Sequence, residues 1–201
     1  MLCIVQARMS SKRLPGKVLM KMKGKTILER VIYNLSLSKE IKKIVVATSN
    51  NKSDDKIVSF CKIRNFLFTR GSLSNVALRY VKTIKIYPCK KFLRISADSP
   101  FINYKLIDNM IRLSKKKKFD IYTNTFPRTF PKGYSVEIIN TKTFLKFYKY
   151  FNRRQAEHLT SYFYENNKNF IIKNFISTKN MSDLNLSVDT SKDFIRLSKN
   201  I

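Results

Sequence analysis

Residues 1–20 read MLCIVQARMSSKRLPGKVLM. A short apolar run, Leu2 to Val5, leads directly into a polar segment. That segment holds four cations, Arg8, Lys12, Arg13 and Lys17, two serines, Ser10 and Ser11, and one glycine, Gly16. Pro15 stiffens the backbone and Gly16 turns it. A buried strand ending in such a loop is the usual opening of an α/β sheet, and the loop suits a polyphosphate. Arg holds phosphate oxygens in pairs, while Lys acts as a point charge. A solvated basic turn is the competing reading. The strand before the loop and the rigid Pro15-Gly16 favour a positioned loop.

Working outward, apolar runs of strand length alternate with segments of helical period. Strands are predicted at residues 2–6, 43–48, 66–68, 92–96, 120–123, 134–139, 170–173 and 186–188. Apolar faces predict helices around Ile27–Leu28–Val31–Ile32–Leu35, Ile57–Val58–Phe60–Cys61 and Val76–Ala77–Tyr80–Val81–Ile84. Others are predicted around Leu106–Ile107–Met110–Ile111–Leu113, Phe144–Leu145–Phe147–Tyr148, residues 159–164 and residues 190–197. Thr26 with Glu29 has the pattern of a capping box, Thr190 with Asp193 could cap the last helix, and Ser53 and Asn103 stand at other helix starts. The alternation predicts an α/β fold with a mostly parallel sheet, joined by antiparallel strands between 120 and 173. One domain over 1–201 is expected. Ligands of open α/β sheets bind beyond the carboxyl ends of the strands. That rule gathers the 8–17 loop, Thr48-Ser49 and Ser96-Ala97-Asp98 at one edge.

Hydrophobic residues make up 43% of the 201 residues and aromatics 12%, enough for a full core. No apolar run approaches the ~20 residues of a membrane span. The first apolar patch is shorter than the ~7–15 residues of a signal core, so Cys3 reads as a buried strand residue. Three scattered cysteines and one histidine argue against a zinc site, and a reduced, cytoplasmic setting is expected. The net charge of +28 reads as a biased surface composition together with anionic small substrates. A basic nucleic-acid binder is the reading set aside, and no membrane partner is expected. Only four glycines occur, so the GxGxxG and GxxxxGK[ST] loops are both excluded. Phosphate would be held chiefly by side-chain cations.

The segment QARMSSKRLPGKVL resembles the opening motif of the spore-coat polysaccharide/acylneuraminate cytidylyltransferase family, usually close to QARMGSTRLPGKVL. That family is related to the KDO (3-deoxy-manno-octulosonate) cytidylyltransferases. The likeness continues in order. IVVATSNNKSDDKIVSFC looks like the family's second strand and following helix, and TRGSLSNVALRYV is similar to FRGSEEDVLDRYY. FLRISADSPFIN is similar to RITGDCPLID, and DIYTNTFPRTFPKGYSVEII to YVSNTLPRTYPDGLDVEVF. RRQAEHLTSYFY and LNLSVDTSKDF match REHVTPYIY and WTVDTPEDL. The resemblance implies a nucleotide-diphospho-sugar transferase fold, a GT-A-like three-layer α/β/α sandwich with a mixed, mainly parallel sheet. It also implies transfer of CMP from CTP to an acidic or modified sugar.

Carried over by position, Arg8, Ser11, Arg13 and Lys17 would hold the triphosphate, and Ala7, Ser10 and Lys12 would belong to the same nucleotide site, Lys12 standing where the family often has Thr and Ser10 where it commonly has Gly. Thr48, Ser49, Arg70 and Ser96 would approach the base and ribose. Asp98 is the expected Mg²⁺ ligand, with an Asx turn before Pro100 as the alternative. Asp189 is the second metal candidate, with a plain helix N-terminus as its alternative. Arg128, Glu137, Glu157 and His158 fall where relatives contact the acceptor. For Glu137 a salt bridge competes with that role, and for His158 a structural position does. Arg13, Lys17 and Asp98 would carry catalysis. The expected partners are CTP and a small anionic acceptor, with a homodimer left open. A phosphonate acceptor, a glycosyltransferase and a non-catalytic relative remain as other readings.

Overall fold

The structure, a computed structural model, describes residues 1–199. Residues 200 and 201, the end of the expected 1–201 domain, lie outside the described residues. Strand β1 (Leu2–Gln6) forms where the sequence places it. It pairs in parallel on both sides, and Cys3, Ile4 and Val5 are fully buried. Burial on both faces is why the run is apolar throughout instead of alternating.

From β1 the chain makes a two-residue hairpin, β2 (Lys21–Met22) and β3 (Lys25–Thr26), and enters α1 (Ile27–Ser36). It continues through β4 (Lys43–Ser49), α2 (Asp55–Ile63), β5 (Phe68–Gly71), α3 (Val76–Ile86), β6 (Lys91–Ser96) and α4 (Tyr104–Ser114). The second half adds β7 (Ile121–Thr123), β8 (Glu137–Asn140), α5 (Thr141–Phe147), α6 (Arg153–Glu157) and α7 (Ser161–Glu165). It ends with β9 (Ile172–Asn174) and α8 (Ser191–Ser198). The seven-stranded sheet runs β5-β4-β1-β6-β8-β7-β9, and only β8 is reversed. Successive side chains of β1 feed opposite faces. Cys3 and Val5 pack with α1, α2 and α4, while Leu2 and Ile4 pack with α3, α5 and α7. The result is the expected α/β sandwich with a mixed, mainly parallel sheet.

The local caps form as read. Thr26–Glu29 and Thr190–Asp193 are capping boxes, and Asn103 caps α4. Ser53 does not cap α2. Instead Asn51 caps a 3-10 turn over Lys52–Asp54 that precedes it. The strand expected at 66–68 is displaced to β5, because Asn65 turns left-handed (φ 54) after α2 and Phe66 still bonds back to Cys61. The strand expected at 134–139 pairs only from Glu137 on, since Pro131 and Tyr134 close a turn and the Asn124 side chain holds Tyr134 and Val136. The helix expected at 159–164 forms as α7, starting at Ser161 because the chain turns after His158, the C-cap of α6. Residues 186–188 form no strand. The chain bends at Ser187, and Leu186 bonds to Lys132 and Val188 to Asp98, so this segment lies across loops.

Phe92, fully buried in β6, has Tyr80 on one side at 5.7 Å and Phe144 on the other at 5.4 Å between ring centroids. Phe92→Ala is expected to lower unfolding free energy by about 3–5 kcal/mol, read from urea denaturation.

Candidate active site

Strand β1 has β4 on one side and β6 on the other. The chain leaves β1 toward β4 and β5, then returns through α3 to β1's other flank. A crevice is expected where the winding reverses, beyond the carboxyl ends of the strands. A cleft of about 680 Å³ lies there. Gln6 and Ala7, at the end of β1, and Ser96, Ala97 and Asp98, at the end of β6, form its floor.

One wall is the 8–17 loop, and the backbone of Met9 holds its shape. The Met9 carbonyl accepts from Ser11 N–H at 3.0 Å and from Gly16 N–H at 2.8 Å. Gly16 is left-handed (φ 74), as the Pro15-Gly16 reading requires. The Met9 N–H donates to buried Asp54 at 2.7 Å, and the same carboxylate accepts from the Ser49 backbone and hydroxyl. Arg8, Ser11, Lys12, Arg13 and Lys17 line the cleft, whereas Ser10 does not.

Lys17 does not stand free to meet a phosphate. It is 7% exposed, and its ammonium donates to Asp98 at 2.7 Å, Asp189 at 3.0 Å and the Val188 carbonyl at 2.6 Å. Asp189 also accepts an ion pair from Arg13 at 3.0 Å. The two acids, 91 positions apart, therefore meet at one buried cation. Asp98 is not tied into an Asx turn; among the described residues its side chain takes, besides Lys17, only a long bond from Ser99.

The opposite wall carries a second buried charge pair. Arg94 and Glu137 stand opposite each other in the β6–β8 register and form an ion pair, and Tyr164 donates to Glu137 at 2.6 Å. Burial raises the Glu137 pKa, but the Arg94 charge and the hydrogen bonds more than offset this, so its carboxyl is held below its ordinary 4.5. The salt-bridge reading of Glu137 thus holds, although Glu137 still faces the cleft. Glu157 bonds to Arg8 at 2.6 Å, and that bond holds its carboxyl below the usual range. His158 lines the cleft beside it. Arg128 donates to the Ser135 hydroxyl at 3.1 Å and forms no ion pair among the described residues. Burial pulls its pKa down.

Three residues expected near base and ribose fall outside the cleft lining. Thr48 and Ser49 are fully buried, Ser49 being bound to Asp54. Arg70 is tied to Asp55 at 2.7 Å and to the carbonyls of Ser49 and Asn51. The reason is the displacement of β5, which brings Arg70 beside Thr48 in the sheet. The residues that sequence reasoning passed over are Asp54, Arg79, Arg94 and Lys132. Arg79 is 1% exposed and holds the carbonyls of Ser72 and Leu73, and Gly71 is packed where a Cβ would stand 3.1 Å from the Arg79 backbone. A cation within an apolar strand, as in FLRIS, was the readable sign of Arg94. In all, eight Lys and Arg side chains face the cleft against four acids, an excess that suits a polyanion.

The family model described as cytidylyltransferase matches residues 2–199. The chain belongs to the cytidylyltransferase family. An uncharacterized protein of Methanocaldococcus jannaschii is 34% identical over 194 residues, 95% of this chain and 79% of that protein. The spore coat polysaccharide biosynthesis protein SpsF of Bacillus subtilis is 32% identical over 171 residues, 80% of this chain and 68% of that protein. A cytidylyltransferase structure from Leptospira borgpetersenii superposes with a TM-score of 0.92 at 30% identity, covering 98% of this chain and 84% of that one. Among the described residues, no helix of this chain is long and apolar enough to cross a membrane.

Glu137, depressed in the folded state, stabilises the protein above pH 4.5, and that contribution is lost as pH falls through its lower folded pKa. Glu137→Gln is expected to cost about 3 kcal/mol at neutral pH, because Arg94 is left buried without a counter-charge. The difference from wild type should shrink as the pH is taken from neutral to well below 4.5, as the wild-type carboxyl is itself protonated. Denaturant unfolding at the two pH values measures both effects.

Proposed function

We propose that this chain transfers CMP from CTP to an acidic or modified sugar, nonulosonate or KDO-like, with release of pyrophosphate. Its setting would be the making of a surface polysaccharide or glycoconjugate, and the name of the SpsF relative supports that setting. The observation that carries the reading is a cleft with two differently charged ends. At one end Lys17 pairs with Asp98 and Asp189, and Arg13 with Asp189. At the other, Arg128 and Lys132 take part in no ion pair among the described residues.

In this reading the acceptor oxygen attacks the α-phosphorus in line and the bond to pyrophosphate breaks. The protein's part is positioning and charge balance. Arg8, Lys12, Arg13 and Lys17 neutralise the triphosphate and then the departing pyrophosphate. Arg128 fixes the acceptor through its anionic group, which a guanidinium can hold in bidentate fashion. Glu157 and His158 border the acceptor's hydroxyls.

Asp98 and Asp189 suit Mg²⁺, which is commonly held by one or two carboxylates with water and substrate phosphates completing the shell. Both touch one ammonium, and Asp189 Oδ2 takes no hydrogen bond from the described residues. No cluster of three or more potential ligands occurs among the described residues, so substrate phosphates would complete the set. Bound there, Mg²⁺ would offset phosphate charge and lower the pKa of the attacking oxygen. Two unpaired cations at the acceptor end also suit a phosphonate, the second reading.

The test is a nucleotide panel followed by pyrophosphate release, run with nonulosonates, KDO-type sugars and phosphonates. CTP with one acceptor class is expected to turn over, and ATP or GTP to stay silent. Arg13→Ala should lower kcat/KM by about 10²-fold, in line with loss of one donor to a developing charge. Asp98→Asn should abolish metal-dependent turnover with the fold retained; wild-type rates at saturating Mg²⁺ would reject the metal assignment.

A further inference from the structure

Lys17 stands out because its position is not that of a waiting phosphate ligand. An ammonium has three hydrogens and no acceptor. All three are spent, on Asp98 Oδ2, Asp189 Oδ1 and the Val188 carbonyl. Arg13 adds a second positive charge on Asp189 Oδ1. The two carboxylates are thereby neutralised before any ligand arrives.

The geometry points to Lys17 as a resident counter-ion that competes with the divalent cation for Asp98 and Asp189. A metal ion that takes the open oxygens of both carboxylates sets two positive charges against the ammonium, and that repulsion drives the ammonium off at least one of them. Its four-carbon stem then carries the released charge toward the nucleotide's phosphates. Cation binding and delivery of Lys17 to the substrate become one coupled event. In the empty enzyme the lysine keeps the two acids from repelling each other and keeps metal affinity low. Metal and nucleotide should bind more tightly together than either does alone, because the phosphates receive the lysine that the metal displaces. The inference rests on the metal reading proposed above and adds the order in which charges change partners.

Lys17→Met tests it, since methionine keeps much of the buried stem and removes the charge. With Mn²⁺ alone as the probe and free Mn²⁺ counted by electron paramagnetic resonance, the variant is expected to bind about tenfold tighter than wild type. A purely structural lysine predicts the opposite sign, because the two acids would spread apart and bind Mn²⁺ less well. Adding Asp98→Asn to Lys17→Met should abolish the gain, which locates it. Unchanged or weaker Mn²⁺ binding by a folded Lys17→Met protein overturns the inference. If that variant does not fold, the wild-type lysine ammonium signals decide by NMR. The Lys17 resonance should shift on addition of Mg²⁺, and an unmoved resonance overturns the inference. No Mn²⁺ binding by either protein, even with CTP present, removes the metal reading and this inference together. Equal binding by both removes this inference alone.

Discussion

Taking an ammonium out of water costs several kcal/mol unless new partners replace its hydration. Lys17 meets that condition with three acceptors, two of them charged. The acceptors come from the end of β6 and from residues 188 and 189, more than 170 positions along the chain. One contact thus joins the first loop, a central strand and the segment that leads into α8. Val188 is held twice, its N–H donating to the Asp98 carbonyl at 2.8 Å and its own carbonyl accepting from Lys17. With Lys17 removed, two carboxylates would face each other near a half-buried floor, and the segment before α8 would lose its anchor.

The rest of the cleft is built by the same logic, each buried charge being matched on a rigid element. Asp54 holds the Met9 N–H and so fixes the basic loop to the start of α2. Arg94 and Glu137 are matched across the β6–β8 ladder. Arg79 is satisfied by backbone carbonyls alone. Among the described residues, the cleft cations that take no ion pair are Lys12, Arg79, Arg128 and Lys132. The fold therefore concentrates unbalanced positive charge beside the crevice where the sheet's winding reverses. A net charge of +28 spread over the surface would not by itself produce such a site.

Features set by neighbours in sequence were legible. Strand β1 was readable to the residue, as were the Thr26–Glu29 and Thr190–Asp193 boxes and the Asn103 cap. The turn at Gly16 followed from Pro15-Gly16 alone. Features set by distant partners were not. Nothing local in residues 186–188 tells that their backbone bonds go to Lys132 and Asp98 instead of to a strand. The left-handed Asn65 shifted β5 and carried Arg70 away from the cleft lining. The burial of Lys17 depends on Asp189, 172 positions away, and a basic loop read alone suggests exposed cations. Motif resemblance supplied what local physics could not, by naming Asp98 and Asp189 together before the structure showed that they share one lysine.

A crystal structure with CTP and Mg²⁺ bound tests the central claim most directly. The account predicts the triphosphate along residues 8–17, contacted by Arg13 and Lys17, with Lys17 moved off at least one of Asp98 and Asp189. CTP bound outside the cleft, or bound within it with all three Lys17 contacts unchanged, would contradict it.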